Sequence, residues 1–185
     1  MGTRYDEIIP PLQKFIERQH IVFTGTAARD GRVNISPKGM DSLRVLSPNR
    51  ILWRNFTGSG NETAVHLEDS PRITLMWCAF EGPPTILRAY GTARSIHRTD
   101  EDWTWAESHF TPDKALRQFF DVKVDLVQKS CGYAVPLMDY SEDRDVLTKW
   151  AANKSEDDIH NYWRDRNATS LDGQPSGLAE KNGIA

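Results

Sequence analysis

Thr57-Gly58-Ser59-Gly60-Asn61-Glu62-Thr63, running into Ala64-Val65-His66-Leu67, places small and hydroxyl-bearing residues at the start of an amphipathic helix. That pattern suits an anion. The first N–H groups of a helix lack partners within it, and the helix dipole adds partial positive charge. Glycines let a phosphate approach closely, and Thr57, Ser59, Asn61 and Thr63 can add side-chain donors. A second reading fits the same residues: a Gly-containing turn with Ser59 or Asn61 as N-cap and Glu62 favourable in the first turn. The segment is not a P-loop, since the lysine of GxxxxGK[ST] is missing. It contains no Lys or Arg at all, and it carries a carboxylate, Glu62.

Other reactive residue types do not cluster. Cys78 and Cys131 are the only cysteines and lack CxxC spacing, which excludes a zinc site of that type. Cys131 has no visible His or Cys partner, so a nucleophilic thiol is not expected. His20, His66, His97, His109 and His160 show no ligand spacing, and no metal is predicted. His66 could approach a ligand at the loop, although a surface histidine is the simpler reading. Asp100-Glu101-Asp102 and Glu156-Asp157-Asp158 sit at expected helix starts, where capping accounts for them. Trp103, Trp105, Trp150 and Trp163 read as packing anchors on helices.

The composition bounds the partners. The chain has 185 residues, enough for one domain with a sizeable core. A formal charge of −3 argues against nucleic acid and anionic membranes. No signal peptide or membrane span is read from the sequence, so a cytoplasmic location is expected, and the sequon Asn167-Ala168-Thr169 is expected to stay unmodified.

Stepping along the chain gives the elements that must carry the loop. Pro10–Gln19 sets Leu12, Phe15 and Ile16 on one helical face. His20–Ala28 and Arg32–Lys38 read as a hairpin across Arg29-Asp30-Gly31, with Val33 and Ile35 on one face of the second strand. Ser42–Leu46 and Ile51–Phe56 form a second strand pair. Asn61–Glu68 is the loop's helix. Arg72–Phe80 reads as a central strand buried on both faces, and Thr85–His97 as a long alternating strand in which Gly91 marks a bulge or corner. Thr99-x-x-Asp102 and Thr111-Pro112 suggest two short helices. Asp121–Gln128 is the last strand. Polar helices follow at about 141–153 and 155–166, and the Gly-, Ser- and Pro-containing tail from Asn167 is expected to be an arm or disordered. Consecutive strands without intervening helices point to an antiparallel barrel of six or seven strands with peripheral helices. The expected organisation is a barrel with its N-terminal helix over 1–135, helices packed on it over 136–167, and a tail over 168–185.

The order of VNISPKGMD (Val33–Asp41), TGSGNETAVHL (Thr57–Leu67), PRITLMWCAF (Pro71–Phe80) and ILRAYGTAR resembles the pyridoxamine 5'-phosphate oxidase-like family of FMN-binding split β-barrels. The resemblance covers most of residues 12–135. It implies a homodimer with FMN at the subunit interface. It places Ser36, Pro37 and Lys38 beside the ring, and Thr57, Gly58, Ser59, Asn61 and Thr63 around the phosphate. Ser130–Pro136, with Cys131 and Tyr133, either covers the flavin from the partner subunit or is a strand-ending turn with a buried Tyr.

Two departures from that family matter. The oxidases proper carry Arg-Lys where this chain has Glu62-Thr63, so the positive charge for a phosphate must come from another strand. Lys38 is the first choice and Arg54 the second, with Arg44 and Arg88 as further candidates. The oxidases proper also end in an Arg-Leu-x-Pro segment that helps recognise pyridoxal, and here Trp163-Arg164-Asp165-Arg166-Asn167-Ala168 stands instead. The expected function is therefore an FMN-dependent oxidoreductase acting with a nicotinamide or other small redox partner, outside the oxidase proper. The alternatives are an FMN-binding or sensing module without turnover, or a reductase using deazaflavin or haem in the same groove.

Overall fold

The computed structural model describes residues 2–184. Eight strands form one antiparallel sheet: β1 (Thr3–Tyr5), β2 (Val22–Thr26), β3 (Asn34–Lys38), β4 (Leu43–Ser47), β5 (Arg50–Phe56), β6 (Arg72–Cys78), β7 (Ile86–Ile96) and β8 (Leu116–Ser130). Their spatial order is β3-β2-β6-β7-β8-β5-β4, with β1 added beside the C-terminal half of β8. The sheet curls around a core but does not close, which is the split barrel that the family resemblance implies, where the run of hairpins pointed only to an antiparallel barrel. The short N-terminal β1 takes the count one beyond the expected six or seven.

Burial alternates along β2, β6 and much of β7, since successive side chains point to opposite faces, whereas β5 and the start of β8 are buried on both faces. Ile51, Trp53, Leu75, Trp77, Leu87, Ala89, Phe120 and Val122 fill the inner face. Two helices close the core. Helix α1 (Pro10–Glu17) inserts Leu12, Phe15 and Ile16, and α2 (Glu62–Asp69) inserts Ala64 and Leu67. On the outer face Leu52, Ile96, Leu116 and Phe119 pack under α3 (Trp103–Glu107).

Gly91 lies at the register shift between β7 and β8. A Cβ there would stand 1.9 Å from the Lys123 carbonyl oxygen, so the bulge needs a residue without a side chain. Val33 and Ile35, on the outer face of the edge strand β3 and the residue before it, are each 70% exposed.

Several expectations are corrected. Residues 111–114 form no helix. Leu116 to Phe120 are all buried and pair with β5, so β8 begins at Leu116 instead of Asp121. β6 is central, but Thr74 and Met76 on its outer face are only half-buried. Helix α3 starts at Trp103, because Thr99 Oγ1 donates to the Lys181 carbonyl instead of capping the helix.

The C-terminal helices are α4 (Val146–Ala152) and α5 (Glu156–Arg166), the latter with a reciprocal Ser155–Asp158 capping box. The segment after α5 is neither arm nor disordered. It folds back, forms α6 (Leu178–Lys181) and buries Leu178 and Ile184 against Ile159 and Trp163. Apolar contact area outweighs its polar composition.

Candidate functional site

A cleft of about 370 Å³ runs along β3 and the β3–β4 turn, past β5, to the loop before α2. Ser36, Pro37, Lys38, Arg54, Thr57, Gly58, Ser59, Asn61 and Thr63 all line it. Nine of the eleven predicted positions thus come together. Cys131 and Tyr133 lie elsewhere and are exposed. They occupy a turn after β8 as one reading had it, but the Tyr is 83% exposed and so not the buried one.

The loop's side chains divide into two groups. Thr57 is committed to the protein: its N–H and hydroxyl both donate to the Ala115 carbonyl, and its Oγ1 accepts from Trp163 Nε1 at 2.9 Å. Asn61 pairs with Gln118, donating at 3.4 Å and accepting at 2.8 Å. It occupies the N-cap position of α2 without a side-chain cap. The free N–H groups of the first turn therefore stay directed out of the helix start. Thr63 Oγ1 accepts from Asn34 Nδ2 at 3.3 Å, and Ser59 is exposed. Glu62, the carboxylate that seemed out of place, accepts the Leu171 N–H at 3.0 and 3.2 Å. Its acceptors are turned toward the C-terminal segment.

Positive charge arrives from three other strands. Lys38 ends β3, and its Nζ lies 5.5 Å from the Trp53 ring centroid. Burial, with a smaller contribution from Arg117, lowers its pKa from 10.5 to about 8. Arg54 on β5 is buried. Its Nη1 donates to the Thr111 carbonyl at 2.8 Å, and its Nη2 is 3.5 Å from Asp41. Burial holds its pKa below the ordinary value, against the opposing effect of Asp41 and Asp113.

Arg117 on β8 is the third cation and was not foreseen. It is 3% exposed, and burial pushes its pKa down to about 9. Its Nη1 donates to the Gly60 carbonyl and to Asn167 Oδ1, both at 2.8 Å. Its strand gave no local signal, because Leu116 to Phe120 do not alternate and Thr111-Pro112 reads as a helix start.

Arg44 and Arg88 are not among the cleft's cations. Arg44 is paired with Asp41 and lies over the Phe110 ring. Arg88 donates to Ser130 Oγ at 3.3 Å on β7. His66 is buried instead of at the surface, with Nδ1 3.1 Å from Thr26 Oγ1. Among the described residues no group of His, Cys, Asp and Glu is arranged to hold a metal.

The fit to an anionic, ring-bearing cofactor rests on atoms that the protein leaves unpaired. Trp53 Nε1, Arg54 Nε and Arg117 Nε are buried with no hydrogen-bond partner among the described residues, and all three side chains line the same cleft. Buried donors without partners are costly, and such orphans mark a place that a ligand completes. Three cations against one engaged carboxylate give the cleft a net positive character. Met40 sits at the turn in this wall with φ of 58°, the one left-handed non-glycine among the described residues. Such backbone strain is often retained at binding sites.

Comparisons with known proteins bear on the family and the fold. The family model described as pyridoxamine 5'-phosphate oxidase matches residues 8–131. A relative from Aspergillus flavus, the pyridoxamine 5'-phosphate oxidase family protein ustO, is 30% identical over 195 residues, covering 95% of this chain and 78% of that protein. Among solved structures, a HupZ variant from Group A Streptococcus superposes with a TM-score of 0.53 at 19% identity, covering 66% of this chain and 99% of that one. A protein from Lactobacillus delbrueckii superposes with a TM-score of 0.51 at 16% identity, covering 66% of this chain and 94% of that one. At these identities the two structures speak for the fold alone.

Proposed function

The chain belongs to the pyridoxamine 5'-phosphate oxidase family, and from that membership we propose that it binds FMN in the cleft between β3 and the α2 loop, as a homodimer, and acts as an FMN-dependent oxidoreductase. The observation that carries the reading is the convergence of Lys38, Arg54 and Arg117 on a cleft that ends at free helix N–H groups. A phosphate dianion needs that charge, and the loop itself offers none.

Bound FMN would supply hydride chemistry at its N5 atom. The chain's own part is binding, orientation and electrostatics. Arg117 and the start of α2 face the phosphate end. Ser36, Pro37 and Lys38 line the ring end, where a cationic Lys38 favours negative charge. With a pKa near 8, Lys38 is mostly protonated at neutral pH. The exposed Val33 and Ile35 on the open sheet edge offer an apolar surface for a second copy. The partner would then cover the cleft's open side, and the Cys131–Tyr133 turn is exposed enough to take part in that contact. Among the described residues no helix is long and apolar enough to cross a membrane.

The test is direct. Purified protein is expected to be yellow, or to turn yellow with FMN, and its bound flavin to bleach with NADH or NADPH under anaerobic conditions. Protein that stays colourless after incubation with FMN would sink the cofactor assignment.

A second reading, a flavin-binding or sensing module without turnover, is favoured by one feature. Among the described residues no His, Cys or Tyr lines the cleft, which leaves Lys38 as the titratable proton donor at the ring end. Flavin that binds yet resists both nicotinamides and a panel of acceptors would select the sensing module.

A further inference from the structure

The segment that stands where the oxidases proper carry their substrate-recognition motif is joined to the loop and to Arg117 by one side chain. Asn167, the residue that ends α5, is fully buried. Its Oδ1 accepts from Arg117 Nη1 at 2.8 Å, and its Nδ2 donates to the Gly58 carbonyl at 2.9 Å. Its backbone is fixed as well. The N–H donates to the Trp163 carbonyl at 2.9 Å, and the carbonyl accepts from Ser176 Oγ. One residue on, the Ala168 carbonyl accepts the Ser176 N–H, and the Leu171 N–H meets Glu62.

We propose that Asn167 is a positioning residue for the phosphate end of the cleft, fixing the Arg117 guanidinium and the Gly58 carbonyl so that the segment after α5 becomes part of the anion site. This rests on the FMN reading above and adds the means by which the site is assembled.

The chemistry requires a carboxamide here. The position must accept from a cation and donate to a carbonyl at once, and an amide does both. An Asp would accept only, and would neutralise the guanidinium. Among the described residues no carboxylate lies within ion-pair distance of Arg117. Asn167 therefore holds Arg117 in place while leaving its charge uncompensated. A helix-ending Asn with a merely local role would bond its own helix, yet this one reaches groups 50 and 109 residues away.

The test compares FMN with riboflavin, which share the ring and differ by the phosphate. Dissociation constants are measured by flavin fluorescence on the full chain for wild type, Asn167→Asp and Asn167→Ala, with circular dichroism to confirm folding. Asn167→Asp is nearly isosteric and is expected to weaken FMN at least tenfold with riboflavin unchanged. Asn167→Ala is expected to weaken FMN by less, because Arg117 keeps its charge but loses its guide. Equal losses for both flavins, or no loss for FMN, overturn the proposal. A wild type that binds neither flavin refutes the FMN reading alone. In that case inorganic phosphate is titrated while the melting temperature is followed. A rise in wild type that is lost in Asn167→Asp supports the positioning role. An equal rise in both, or none in wild type, overturns it.

Discussion

Trp163 Nε1 donates to Thr57 Oγ1 at 2.9 Å, so a side chain of α5 ends on the first residue of the loop that bears the proposed phosphate site. Thr57 passes its own hydroxyl hydrogen to the Ala115 carbonyl. One buried chain of bonds thus joins α5, the loop and the start of β8. Trp163→Phe keeps an aromatic ring against Leu178 and Ile159 but removes the donor and part of the buried indole. It is expected to cost about 1 kcal/mol in urea unfolding. A loss of several kcal/mol would mean that the ring's packing, and not the bond, is what matters.

Lys38 and Glu62 should behave in opposite ways. Lys38→Ala removes a cation from the cleft and is expected to raise the FMN dissociation constant about tenfold, the scale of one charge-assisted hydrogen bond. Glu62→Ala removes a carboxylate already engaged by Leu171 and is expected to leave FMN affinity equal or improved. Lys38 loses its proton as pH rises through about 8, so wild-type affinity should fall between pH 7 and 9. Lys38→Ala should lack that step. A pH dependence that survives the substitution would assign it elsewhere.

Arg117→Met keeps the length of the side chain and removes its charge and donors. Selective loss of FMN over riboflavin is expected, at least tenfold by fluorescence titration. Gly60 and Asn167 lose a partner, so stability should fall by roughly 1–3 kcal/mol unless the unpaired groups find water. Equal affinity for the two flavins in wild type would remove Arg117 from the phosphate site.

His97 gives the fold an acid limit. It is 5% exposed beneath the C-terminal segment, with Nδ1 3.3 Å from Asn182 Nδ2. Burial, then Lys181, lowers its pKa from 6.5 to about 4, against Asp100 and Glu68. The folded chain keeps it neutral down to about pH 4, whereas the unfolded chain takes up a proton below about 6.5. This group's contribution is intact above pH 6.5 and is lost as pH falls toward 4, by at most about 3 kcal/mol. His97→Gln should flatten that part of a stability–pH curve. An unchanged slope would place the acid sensitivity in other groups.

Gly91→Ala tests the bulge. The added methyl would meet backbone, not a yielding side chain, at 1.9 Å from Lys123 O. A loss of more than about 2 kcal/mol is expected in thermal or urea unfolding. A near-neutral effect would show that β7 and β8 can shift register without penalty.

The barrel was legible because its strands alternate and its turns are marked: the hairpins of β2–β3 and β4–β5, the bulge at Gly91 and the helix after Asn61 all stand where periodicity and glycine put them. Lys38 and Arg54 were legible as charge sources because they flank the loop in strand order. Arg117 was not. A Thr-Pro pair ahead of it imitates a helix start, and only the tertiary pairing of Asn55 with Gln118 shows that a strand begins there. Asn167 was hidden for a different reason. Polar tail composition predicts solvation, yet this tail is held by a few specific amides and two apolar anchors, Leu178 and Ile184, whose partners lie on α5. Local sequence carries no record of such distant pairings.

The loop at 57–63 and the residue that braces it are made at different times. More than a hundred residues separate Gly58 from Asn167, so at ordinary synthesis rates the brace follows by roughly 5–20 s. Until then Arg117 lacks its guide and the loop lacks its back wall. The Gly58 carbonyl and the Arg117 guanidinium are thus made before the amide that joins them. Order of synthesis thereby sets which side of this brace waits for the other.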